Sequence, residues 1–132
     1  MNDRGSSTIT LALLAPVLML LAAFAVYVGR VASTQAEVRG VARDAARSAS
    51  IQPANARGAA EDTARRTLAT RDVSCQRIEV NVAATKVGNL DAVTVTVRCS
   101  ISTRELAGLN LGGERTVEAT ATEVVDHYRS TP

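Results

Sequence analysis

An uncharged run near the start of the chain constrains it most. Residues 9–29 read ITLALLAPVLMLLAAFAVYVG, 21 positions without Asp, Glu, Lys or Arg. As a helix they would extend about 31 Å, the thickness of a bilayer's hydrocarbon core. A helix at the surface of a soluble core shows a polar stripe, and this run has none. Pro16 removes one backbone hydrogen bond and predicts a kink, which membrane helices tolerate better than exposed soluble ones. Tyr27 lies near the far end, where amphipathic rings favour the interface. The run is read as one membrane-spanning helix. Residues 1–8 become a short cytoplasmic tail and residues 30–132 an extracytoplasmic domain.

Orientation and processing each have a rival reading. Asp3 and Arg4 precede the run, whereas Arg30, Arg39, Arg43 and Arg47 follow it. Counted as juxtamembrane charge, these would hold the C-terminal side in the cytoplasm. Two features argue otherwise. A short tail before the first apolar helix is the ordinary layout of an export signal. The later arginines are also interleaved with acids, as on a folded helix. The rival to a permanent anchor is a cleaved signal peptide, with residues 11–21 as its apolar region and Ala23-Phe24-Ala25 as its cleavage site. Against it, the apolar run continues through Val26, Tyr27 and Val28, and no turn residue precedes the site.

Beyond the run, the period of the apolar residues tells helices from strands. Val31, Val38, Val41, Ala42, Ala45 and Ala49 recur at helical spacing, with Arg39, Asp44 and Arg47 away from the stripe. No break separates this stretch from the membrane segment, so the two form one rod with an amphipathic second half. Pro53 ends it. A second helix is predicted from about Asn55 to Thr70, with Ala56, Ala60, Ala64 and Leu68 on its buried side. Glu61 and Asp62 are placed to pair with Arg65 and Arg66 one turn on. The period then becomes two: Ile78, Val80 and Val82; Val93, Val95, Val97, Cys99 and Ile101; Val117, Ala119 and Ala121. Gly88-Asn89 and Gly112-Gly113 mark the turns. The predicted fold is α+β: a long helix, a short helix, and a three-stranded antiparallel sheet whose apolar face packs on the long helix.

Composition narrows the function classes. The net charge is +2, and the only aromatics are Phe24, Tyr27 and Tyr128. That balance argues against nucleic-acid binding, which needs a basic face or stacking rings. A small core of Ala, Val, Ile and Leu leaves little room for a small-molecule pocket. No phosphate loop, metal-spaced His/Cys set or nucleophile elbow is present, so no cofactor and no catalysis are expected. His127 beside Asp126 reads as a surface histidine. Cys75 and Cys99 fall at places that a hairpin brings together, with Cys99 facing the core. They lack a C-x-x-C spacing and a nearby histidine, which argues against a redox or metal pair. If the domain is exported, the reading is a structural disulfide.

Arg4-Gly5-Ser6, a polar stretch and then a Pro-interrupted apolar helix together resemble a type IV pilin-like N-terminus. In that family a prepilin peptidase cuts after the Gly, which makes Gly5 and Ser6 the implied cleavage pair. The fuller resemblance is to TadE-like (TadE/TadG) pilus assembly proteins of the actinobacterial type. It rests on RGSSTITLALLAPVLMLLAAFAVYVGR, on ARDAARSAS, on two Cys in a Val/Thr-rich hairpin and on TATEVVDHYR. The resemblance implies a minor pilin or pseudopilin of a Tad (Flp-type) apparatus, in the cytoplasmic membrane among other pilus or secretion subunits. One position departs from the pattern. Pilin-like proteins usually carry Glu five residues after the cut, pairing with a neighbour's N-terminal amine, and Thr10 stands there. The alternative implied is a membrane-tethered extracellular binding module.

Overall fold

The computed structural model describes residues 4–71, 73–102 and 112–125, with side chains described from Ile9 onward. Helix α1 runs unbroken from Arg4–Ile51, 48 residues with Pro16 inside, or roughly 72 Å at 1.5 Å per residue. A short 3-10 turn at Pro53–Asn55 reverses the chain. Helix α2, Ala56–Thr70, then packs back along α1.

Strands β1 (Arg77–Val87), β2 (Leu90–Ser102) and β3 (Glu114–Val124) form a meander in the order β1-β2-β3, antiparallel throughout. Gly88 has φ 63° at the first position of the two-residue β1–β2 loop, the left-handed region where a side chain would be strained. The register puts Ile78 opposite Cys99, Val80 opposite Val97 and Val82 opposite Val95. On the other side of β2, Cys99 faces Val117, Val97 faces Ala119 and Val95 faces Ala121. The alternation in the sequence is therefore the actual apolar face.

That face is closed by both helices. Val38, Val41, Ala42, Ala45, Ala46 and Ala49 of α1 are buried, with Ala60, Ala64 and Leu68 of α2 and Val95, Val97 and Cys99 of β2. Small side chains on α1 let it approach the sheet and α2 at once, which a stripe of leucines would prevent. The expected stripe holds with shifts at its margins. Ala46 and Ser50 are buried without having been foreseen, because α1 is covered on two flanks. Val31 is only half-buried. On α2, Ala59 is buried and Ala56 half-buried. One ion pair is corrected: Glu61 pairs with Arg57 (3.5 Å), whereas Asp62 pairs with Arg66 as expected.

The opposite face of the sheet is polar. The Thr94 and Thr122 hydroxyls lie 2.9 Å apart, those of Thr96 and Thr120 3.0 Å, and Arg98 Nε donates to Glu118 (2.6 Å). That hydrogen bond holds the Arg98 guanidinium above its ordinary pKa.

Candidate functional site

The sequence offers no constellation of catalytic type. Among the described residues, no three His, Cys, Asp or Glu side chains gather where a metal could bind. The features that can carry function are the uncovered part of α1, its junction with the sheet, and the disulfide.

The first half of α1 touches nothing that would bury it. Leu11 is 70% exposed, Met19 73% and Phe24 65%, and their neighbours are similar. Water does not tolerate an apolar surface of that size without a partner. This is the one helix among the described residues long and apolar enough to cross a membrane. Gly5 and Ser6 lie in its first turns, and Thr10 is exposed on the same rod. Pro16 leaves the helix unbroken, because the turns on either side continue the ladder.

The junction is built from four contacts. Arg115 at the start of β3 donates from Nη1 to the Tyr27 hydroxyl (3.3 Å). Gln35 Nε2 donates to the backbone carbonyl of Glu118 (2.9 Å), two turns higher on α1. Together these set β3 rising alongside α1, with its first residues at the end of the apolar run. On the other flank, Arg71 Nη1 lies 2.7 Å from Glu37 Oε2 and Nη2 lies 3.4 Å from Asp44 Oδ2. Gly40 sits between those two acids on α1, and an added Cβ there would come within 2.9 Å of Arg71 Nη1. The missing side chain lets the guanidinium lie across the helix. Its hydrogen bond to Glu37, aided by both carboxylate charges, raises the Arg71 pKa above its ordinary value. Sequence reasoning missed this clamp. Its signal was a glycine inside a helical pattern with acids three before and four after it.

Cys75 and Cys99 are bonded, with Cα atoms 5.3 Å apart. Cys99 is buried and Cys75 half-buried, just ahead of β1. The bond closes a loop holding the α2–β1 connection against the central strand. His127 and Asp126 lie outside the described residues.

Residues 5–47 match the family described as TadE-like protein. No curated protein and no solved structure matches the chain. The TadE-like match covers the apolar half of α1 and most of its packed half, and stops before α2 and the sheet.

Proposed function

We propose that this TadE-like chain is a non-enzymatic structural subunit of a Tad (Flp-type) pilus or a related secretion apparatus, of minor pilin or pseudopilin type. The observation that carries the reading is the continuity of α1. One helix leads without a break from a fully exposed apolar half into a half buried against α2 and the sheet. Such a rod transmits position from a membrane, or from a bundle of like helices, directly to the folded domain. In this reading residues 9–29 cross the cytoplasmic membrane once and residues 30–132 lie outside. The disulfide suits an oxidising compartment. A reporter enzyme active only after export, fused after Pro132, is expected to work; activity of a cytoplasm-only reporter there would overturn the orientation.

Processing after Gly5, with Ser6 as the new N-terminus, is the corresponding role for a prepilin peptidase. Counted from Ser6, the fifth residue is Thr10. A carboxylate there would need a neighbour's amine, because a charge in the bilayer costs about 2.5–3.5 kcal/mol near its centre. Threonine avoids that cost, and it also gives up the pairing that sets axial register between copies. The chain is therefore a low-copy subunit and not the main filament protein. Shearing cells and blotting both fractions tests this: the chain should stay with the cells or be a trace component of sheared filaments. Sheared filaments built mainly of this chain would refute it. Thr10 also favours the second reading, a membrane-tethered binding module, which predicts that deleting a co-expressed Tad secretion ATPase leaves the chain's surface display unchanged.

A further inference from the structure

Two contacts fix the height of the sheet along α1. Arg115 reaches the Tyr27 hydroxyl and Gln35 reaches the Glu118 carbonyl. From Tyr27 to Gln35 the helix climbs about 12 Å at 1.5 Å per residue. From Arg115 to Glu118 the strand climbs about 10 Å at 3.3 Å per residue. The two rises agree, so β3 begins level with Tyr27, just short of Gly29, where the uncharged run ends. Ser102 lies opposite Glu114, so β2 ends at the same level. The β1–β2 turn and the end of β3 lie at the other end of the sheet.

Strand parity separates the charges at this end. Arg115 shares the parity of the buried Val117 and Ala119 and turns toward α1. Glu114 shares that of Thr116 and Glu118 and turns to the polar face, as Arg77 does. That face has no excess positive charge, since Arg77 and Arg98 stand against Glu79, Glu114 and Glu118. On the side facing α1 stand Arg115 and, three residues past Tyr27, Arg30; both are exposed. The first acid beyond them on α1 is Glu37, which Arg71 holds at 2.7 Å. Residues 103–111, which join β2 to β3, bring Arg104 and Glu105 and so no net charge. Arg115 is in no ion pair among the described residues, and the Tyr27 hydroxyl takes one of its five N–H donors.

We infer that this end of the sheet rests on the membrane surface and that Arg115 binds the phosphate of an anionic phospholipid. The inference rests on the proposed crossing by residues 9–29, in either orientation. With that run filling the hydrocarbon core, its last turn lies at headgroup level, and so does the guanidinium tied to Tyr27. The tyrosine ring favours that depth, and its hydroxyl keeps Arg115 from swinging up into water. The donors that Tyr27 leaves open suit a phosphate, which a guanidinium binds through paired N–H groups. Lipid is the fitting occupant because the depth of the helix alone brings it there, around a single copy of the chain. The folded domain therefore sits on the bilayer with no stalk between them.

The test uses the full chain, isotope-labelled, in lipid nanodiscs. A water-soluble paramagnetic reagent should leave the amides of residues 9–29 untouched, which checks the crossing by itself. A lipid with a nitroxide on its headgroup should broaden the amides of residues 114–116 and leave residues 87–90, at the other end of the sheet, sharp. Native mass spectrometry from mixed micelles reads the choice of lipid. The chain should retain phosphatidylglycerol over phosphatidylcholine by about fivefold, the worth of one arginine at an anionic surface. Arg115→Gln should abolish that preference with the melting temperature kept, Arg115→Lys should keep part of it, and Arg77→Gln on the polar face should leave it whole. With residues 9–29 still shielded, three results would overturn the inference alone: sharp amides at 114–116, broadening at 87–90 in their place, or full preference in a folded Arg115→Gln chain. Shifts at 114–116 that move with the chain-to-lipid ratio would also overturn it and give the surface to a second copy. Residues 9–29 open to the aqueous reagent would remove the crossing, and the inference with it.

Discussion

The two halves of α1 belong to one helix and obey different solvents. In residues 9–26 every position is exposed and nearly every side chain is apolar. In residues 38–50 the buried positions are Val38, Val41, Ala42, Ala45, Ala46, Ala49 and Ser50, and arginines take the open flank. The first half is uniform around its axis and the second is divided. A uniform apolar surface suits a surrounding that is the same on all sides, such as lipid or a ring of like helices. A divided one suits a single packed layer. The same backbone geometry therefore serves two environments, and only the distribution of side chains tells which is which.

The comparison predicts opposite sensitivities. Truncation should matter where a side chain is enclosed, and charge should matter where it is not. Leu68 is the largest side chain buried between α2 and its neighbours, at 2% exposure. Leu68→Ala should destabilise the domain by about 2–5 kcal/mol in a thermal or denaturant melt and leave membrane association intact. Leu18 is 60% exposed on the uncovered half, and Leu18→Ala should barely move the same melt. Equal losses from both would mean that the uncovered half is packed in the folded chain.

The disulfide sharpens the same contrast, because it acts only on the enclosed part. Cys75 and Cys99 are separated by 24 residues, a loop worth roughly 3 kcal/mol by the chain-entropy estimate. Cys99→Ser should lower stability by about that amount, and neither cysteine of the native protein should react with a thiol label without reductant. Quantitative labelling of both would break the assignment. Leu18→Arg is the reciprocal test on the other half. A charge near the middle of a spanning helix costs about 2.5–3.5 kcal/mol on insertion scales. The variant should shift toward the alkali-extractable fraction while the domain's melt is unchanged. Full retention in the membrane would argue that the first half does not face lipid.

Much of this was legible before any coordinates, for a physical reason. Periodicity reports burial directly, so Val93, Val95, Val97 and Cys99 declared a strand face, and Ala60, Ala64 and Leu68 a helix face. What stayed hidden depends on how elements meet. Ala46 and Ser50 look like the solvent side of α1 until α2 and β3 are both in place. Glu61 has an arginine one turn away on either side, Arg57 and Arg65, and spacing alone does not choose between them. Which sheet edge α1 lies along is likewise invisible in sequence, since β1 and β3 have the same length. Gly5, Ser6 and Thr10 were readable only as motif and resemblance, because the roles proposed for them involve other molecules.

The smallest expected effect tests the junction and uses two glycines of the same helix. Gly29 lies just past the uncovered half, with nothing within 4 Å of an added Cβ; Gly40 lies under Arg71 in the packed half. Replacing either by alanine should gain helix propensity, about 1 kcal/mol in a helix interior. At Gly29 that gain stands alone. At Gly40 the new Cβ would sit 2.9 Å from Arg71 Nη1 and 3.3 Å from its Cζ. The far end of a flexible side chain can move aside, and in moving it loosens its bonds to Glu37 and Asp44. Both flanking acids are partly open to water, so those bonds are worth at most about 1 kcal/mol and weaken with salt. Gly40→Ala should therefore stabilise less than Gly29→Ala, and the deficit should shrink at high ionic strength. A double-mutant cycle with Arg71→Ala isolates the contact: coupling of about 0.5 kcal/mol between positions 40 and 71 is expected. If Gly40→Ala stabilises the Arg71→Ala variant no more than it stabilises the native chain, the guanidinium does not depend on the glycine, and the clamp contributes nothing to holding α2 on the rod.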